Sequence, residues 1–249
     1  MSGRFRKSLG KQFGRVRSRF GGGSSLMNGL VSFWKLADVN DAIGGETLTN
    51  VNSATFGAGK IGDCIDNCDG TDTTGPYLAK GTSSALAITS EDFTISAWFN
   101  MNALRSNQHI MGKGPHNASA GEYTLGIAST GKPRLHINVG GAFKAVTSTV
   151  VAGTGSWLFV CATRHDTGTN NELKIWVDGV KTEDLTITSG DITNGGRDFT
   201  IGGRRSSVGG SMNYAMDALV DACGLWKRAL TDLEVAELRY SGNGKEPPF

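Results

Sequence analysis

The run DALVDACGLWKRALTDLEVAELRYSG, residues 217 to 242, constrains the fold of this chain more than any other stretch, because two periodicities meet inside it. Leu219, Cys223 and Leu225 interleave with Val220, Ala222 and Trp226. A short, mostly apolar run of this kind suits a strand covered on both faces. A helical pattern follows at once. Thr231 and Glu234 have the spacing of a capping box, Leu230 and Val235 that of a hydrophobic staple, and Gly242 supplies a cheap left-handed stop.

Period-two alternation recurs upstream. Phe93, Ile95, Ala97 and Phe99 share one face against Thr94, Ser96, Trp98 and Asn100. Leu135, Ile137 and Val139 oppose His136 and Asn138, and Leu173, Ile175 and Val177 oppose Lys174 and Trp176. Val177-Asp178-Gly179-Val180 reads as a two-residue hairpin, since a type I′ turn needs positive φ at both central positions. With 36 Gly and only 5 Pro, the turns are expected to be glycine hairpins between short antiparallel strands. The 249 residues suit one large sandwich, and no run of 18 apolar residues crosses a bilayer.

Five patches, in order, resemble one family. Gly29 to Leu36 looks like a first strand, and Gly59-Lys60-Ile61-Gly62 with Asp69-Gly70 like a second conserved patch. Phe93 to Trp98 is similar to the central strand, and Trp157 to Val160 with Leu173 to Gly179 to paired strands and their Val-Asp-Gly turn. The closing motif is Val220-Asp221, Trp226 and Arg228 to Thr231. Together they are similar to the laminin-G-like, concanavalin A-like lectin/glucanase β-sandwiches. The resemblance implies an all-β antiparallel jelly roll over residues 26 to 243, with one short C-terminal helix and a tail at 244 to 249. Asp221 is expected to be a structural hydrogen-bond acceptor.

Charge divides the chain. Residues 1 to 25 hold seven cations and no acid, and the remainder holds 18 basic and 23 acidic residues, so a +7 arm precedes a body of −5. Phe5, Leu9, Phe13, Val16 and Phe20 would form one stripe of a helix, ringed by Arg4, Arg6, Lys7, Lys11, Arg15, Arg17 and Arg19. Gly10 and Gly14 would each cost that helix ~1 kcal/mol relative to Ala. Gly21 to Ser25 reads as a flexible joint. The arm suits phosphates of nucleic acid, an anionic membrane surface, an organelle-targeting role or a groove on a protein assembly, against a solvated tail. Sandwiches of this family occur in tailed bacteriophages. The resemblance therefore implies a virion protein, such as a capsid decoration protein, made in the host cytoplasm and anchored by its arm to other virion proteins.

Three chemistries bear on candidate sites. Retaining and inverting glycosidases need two carboxylates flanking the sugar bond. The resemblance would supply them on a Glu-x-Asp-x-Glu strand, which is missing, while Glu91-Asp92 and Glu183-Asp184 are adjacent and should point apart. The expectation is therefore a non-enzyme. Calcium, as in some relatives, would suit Asp38, Asn40 and Asp41, or less well Asp63, Asp66, Asp69 and Asp72. A host-surface glycan would suit polar loops with aromatics: His109, Lys113, His116, Asn117 and Tyr123, and Arg204, Arg205, Asn213 and Tyr214. Five tryptophans lie in strand patterns and are expected in the core. Cys64, Cys68, Cys161 and Cys223 are expected as buried thiols, with Cys64 and Cys68 on one face of a strand.

Overall fold

The computed structural model describes residues 25–114, 122–205 and 212–249, and of 205, 212 and 213 the backbone alone. The strands are β1 (Leu30–Trp34), β2 (Thr49–Val51), β3 (Phe56–Ala58), β4 (Asp63–Asp69), β5 (Tyr77–Lys80) and β6 (Phe93–Met101). Then come β7 (Gln108–Lys113), β8 (Tyr123–Ile127), β9 (Pro133–Val139), β10 (Ala142–Thr147), β11 (Trp157–Asp166) and β12 (Asn170–Val177). The last are β13 (Val180–Thr188), β14 (Phe199–Ile201), β15 (Arg204–Arg205), β16 (Met212–Asn213) and β17 (Asp217–Trp226), followed by helix α1 (Asp232–Arg239).

Two antiparallel sheets form the sandwich. Sheet A runs β13-β12-β11-β6-β17-β4-β3, with β1 also on β17, and sheet B runs β10-β9-β8-β7-β14-β5-β2. Phe93, Ile95, Ala97 and Phe99 enter the core between the sheets, as do Leu135, Ile137, Leu173 and Ile175. The opposite face of sheet A is apolar too. There Trp98, Phe159, Cys161, Trp176 and Trp226 pack with Phe33, Leu26 and the helix residues Val235 and Leu238. Each β6 side chain therefore lands on one of two cores, which is why hardly any of that strand is exposed. The tail residue Phe249 packs edge-on against Phe33 at 5.8 Å.

The cap is built as the sequence predicts. Glu234 N donates to Thr231 Oγ1, Thr231 N donates to Glu234 Oε2, and Leu230 and Val235 share the outer cluster. The stop is not Gly242. The α-helix ends at Arg239, where Tyr240 takes the left-handed conformation (φ 46) and a one-turn helix carries the chain to Gly242. The hairpin at Asp178 (φ 52) and Gly179 (φ 77) joins Val177 to Val180 directly across the ladder.

Strict alternation fails in β17 and β4. Ala218 and Val220 face the intersheet core, but so do Cys223 and Leu225, because a bulge at Ala222 (φ 47) inserts one residue and flips the phase. A register shift in β4 likewise separates the thiols: Ile65 and Cys68 enter the core, while Cys64 turns to Ala58 O on the other side. All four cysteines are free and buried. Burial raises the Cys64 and Cys68 thiols to about 12, which keeps them protonated and poor nucleophiles.

The bulge sets Asp221. Its Oδ2 accepts Lys60 N at 2.7 Å and Ile61 N at 2.8 Å, which ties the 59–62 loop to β17 across 160 residues of sequence. This is the acceptor role expected of it. Burial, opposed only in part by those amides, raises the Asp221 carboxyl to about 7.

Candidate functional site

The arm residues from Arg4 to Phe20 lie outside the described residues. Their root at Ser25 is described and firmly held. Arg228 Nη2 donates to Ser25 O (2.8 Å) and Arg228 Nε to Asn28 O (2.6 Å), while both terminal nitrogens meet Glu234 at 2.8 Å. Trp226 Nε1 donates to Leu26 O at 2.7 Å. The same Glu234 that caps α1 thus orients the guanidinium that fixes the start of the sandwich, and this fork holds its carboxyl down at about 2.

The predicted glycan rim comes apart. His109, Lys113 and Tyr123 are buried within sheet B, not displayed on a loop. His109 Nε2 sits on Thr200, Lys113 pairs with Glu122 at 3.3 Å, and the Tyr123 hydroxyl donates to Leu86 O. β7 extends through Lys113 and β8 begins at Tyr123, so these side chains enter the sandwich, where Lys113 and Glu122 offset each other's charge as a buried ion pair. His116 and Asn117 lie outside the described residues. Arg204 and Tyr214 do meet, the guanidinium 4.1 Å from the ring centroid, over a two-rung ladder that pairs Arg204 with Asn213 and Arg205 with Met212.

The Asp38–Asp41 loop is organised by the chain itself. Asp41 Oδ1 accepts the amides of Phe33 and Ile43, and Oδ2 those of Gly44 and Glu46, all within 2.9 to 3.0 Å. Asp38 is engaged by Asn40 through both its oxygens. Four amides occupy the lone pairs that a hard cation would need. In the second set, Asp66 accepts from Thr55, Asp69 from Thr71 N and Asp72 from Ala215 N. Among the described residues no three His, Cys, Asp or Glu side chains converge on a point that could hold a metal.

A cleft of about 340 Å³ opens instead on the outer face of sheet A, beside the start of α1. The ladder explains its composition: Thr163 stands opposite Lys174, and Cys161 opposite Trp176, so alternate residues of β11 and β12 project the same way. Trp176 and Leu230 supply the apolar lining. Thr163, His165, Lys174 and Asp92 supply polar walls, and Arg228 to Asp232 form the helix side. His165 Nδ1 lies 2.5 Å from Asp92 Oδ2, and Asp92 Oδ1 accepts Asp166 N at 2.7 Å. Because a carboxylate only accepts, Nδ1 donates the proton of this hydrogen bond, and Nε2 is left toward the cleft.

Behind the cleft stands Arg164, which is fully buried. Its guanidinium bonds Asn171, the carbonyls of Ser90, Glu91 and Gly190, and Asp166. It pins the loop that carries Asp92 against β11, and so sets the position of the His165–Asp92 pair. None of the cleft residues was proposed as a site from sequence. Lys174 and Trp176 were visible as one face of β12, but the register that places Thr163 and His165 beside them was not.

A two-sheet antiparallel sandwich with a short closing helix and a shallow cleft of aromatic and polar residues is a lectin-like architecture. A family model described as the concanavalin A-like lectin/glucanases superfamily matches residues 72–236, and the chain belongs to that superfamily. No curated protein sequence matches the chain.

Solved structures share the fold. Domain 4 of an extracellular GH43 arabinanase from Geobacillus stearothermophilus, solved with arabinotriose, is similar at TM-score 0.62 and 16% identity, covering 84% of this chain and 97% of that one. The binding domain of botulinum neurotoxin serotype G is similar at TM-score 0.62 and 13% identity, covering 85% of this chain and 50% of the toxin domain. The chain thus spans about half of that domain. The CBM40 of a Ruminococcus gnavus sialidase, bound to α2,3-sialyllactose, is similar at TM-score 0.54 and 14% identity, covering 69% and 95%.

Proposed function

We propose that this chain is a non-catalytic carbohydrate-binding module that takes its glycan in the cleft on the outer face of sheet A. The observation that carries the reading is the cleft itself. Its volume of about 340 Å³, a firm floor in which Trp176 and Leu230 are almost wholly buried, and converging polar groups from β11, β12 and α1 are features that suit a small polar ligand such as a sugar. The neighbours named above, solved with arabinotriose or sialyllactose, make such ligands reasonable probes. A non-catalytic role is supported by Asp92, whose two oxygens are spent on His165 and on Asp166 N, leaving neither in place to trade a proton with a glycosidic oxygen. The full chain on a glycan array, with and without chelator, tests the reading. Binding to a defined set of glycans, unchanged by chelation because Asp41 is already engaged, is expected; a folded chain that binds none would overturn it.

A second reading concerns where the module works, and the observation favouring it is the charge of residues 1 to 25. Seven cations and no acid precede a root clamped by Arg228 and Trp226, as suits an arm that tethers the sandwich to an acidic partner. We read it as a bacteriophage virion protein, decorating a capsid or belonging to a tail, anchored to other virion proteins through the arm. Deletion of residues 2 to 20 should leave a folded sandwich that no longer joins particles. Retained incorporation would refute the anchoring role, and affinity for DNA falling steeply with salt would assign the arm to nucleic acid.

A further inference from the structure

We infer that the cleft beside α1 selects neutral saccharides and rejects sialylated or otherwise anionic ones. The inference rests on the carbohydrate-binding reading and adds the class of sugar.

The charges lining the cleft look balanced until their partners are counted. Arg228 is consumed by Glu234 and by the carbonyls of Ser25 and Asn28. Lys174 Nζ is 3.1 Å from Glu172 Oε2. Asp92 is held by His165 and by Asp166 N. Both cations are therefore neutralised before any ligand arrives. Four lining groups make no hydrogen bond among the described residues: His165 Nε2, the Trp176 indole N–H, the Thr163 hydroxyl and the Asp232 carboxylate. The carboxylate accepts hydrogen bonds, the indole donates, and the hydroxyl does either. A carboxylate, an indole N–H and a hydroxyl fit the O–H groups of a neutral sugar ring, which both donate and accept. A sugar carboxylate would bring a second negative charge toward Asp232 with no unpaired cation to receive it, and like charges in a partly desolvated cleft are penalised.

The matched pair lactose and α2,3-sialyllactose, which differ by one sialic acid, tests this on the full chain by isothermal titration or by NMR shifts of the Trp176 and His165 signals, with arabinotriose as a second neutral probe. Lactose or arabinotriose should bind at least about tenfold more tightly than sialyllactose, one tenfold step being 1.4 kcal/mol. His165→Ala and Asp232→Asn should each weaken the neutral ligand by about three- to tenfold, the scale of one hydrogen bond. Asp232→Lys should reverse the order of lactose and sialyllactose. Sialyllactose binding in the cleft as tightly as lactose would overturn the charge argument and leave the carbohydrate-binding reading standing. No saccharide shifting the cleft signals would overturn both.

Discussion

The two ends of β17, about 30 Å apart over its ten residues, are built on opposite plans. At the Trp226 end, side chains bind backbone about 200 residues away: Trp226 to Leu26, and Arg228 to Ser25 and Asn28. Thr94 Oγ1 donates to Arg228 O and accepts Leu230 N, and α1 lies over an apolar cluster. At the Asp217 end the direction is reversed, and backbone amides reach distant side chains: Asp217 N donates to Gln108 Oε1 and Ala215 N to Asp72 Oδ1. Asn107, Thr73 and Tyr214 all have positive φ, and Arg105, half exposed, makes the ion pair with Asp217 at 2.7 Å. Side chains donating to fixed carbonyls under a packed helix make a firm base for the cleft, whereas the other end adds left-handed turns and a half-exposed ion pair to its long-range bonds.

The sharpest test of that contrast is a pair of truncations. Trp226→Ala should cost about 3 to 5 kcal/mol, from lost burial and the orphaned Leu26 carbonyl. Tyr214→Ser should cost less, about 1 to 3 kcal/mol, from a cation–π contact and a hydrogen bond to Arg204. Urea denaturation would show equal losses if the ends were built alike.

Asp221 sits between the ends, and its linkage has a definite sign. A carboxyl at about 7 in the fold and near 3.9 unfolded keeps its proton more readily when folded. Stability should therefore fall as pH rises from about 4 to about 7 and level off above, by at most about 1.4 kcal/mol per pH unit. Asp221→Asn should flatten that slope, and urea midpoints that climb over the same window for the parent chain would contradict the burial argument. Smaller still is the cap. Thr231→Ala should cost about 1 kcal/mol and act only at the Trp226 end. Leu233, 83% exposed on the outer side of α1, should tolerate Asn within about 0.5 kcal/mol in a thermal melt.

What could be seen in the sequence was what neighbours along the chain decide. The capping box, the Asp178-Gly179 turn and the alternation of Phe93 to Phe99 are all short-range consequences of φ preference or period. Gly242 misled because Tyr240 had already turned left-handed, an uncommon conformation for an aromatic residue. The bulge at Ala222 left no mark, since Ala carries no signal for positive φ, and without it every side chain after Asp221 is placed on the wrong face. His109 and Lys113 read as loop residues because polar side chains give no hint of the buried partners Thr200 and Glu122. The cleft needs three segments in register, Asp92 before β6, β11 with β12, and the start of α1, and no single segment announces it.

The measurement that bears most directly on this account is a titration of arabinotriose into three full-length chains: the parent, His165→Ala and Tyr214→Ser. A glycan seated beside α1 should bind the parent and Tyr214→Ser alike and His165→Ala about three- to tenfold more weakly. Loss of binding in Tyr214→Ser with His165→Ala unaffected would place the ligand at the other end of β17 and contradict it.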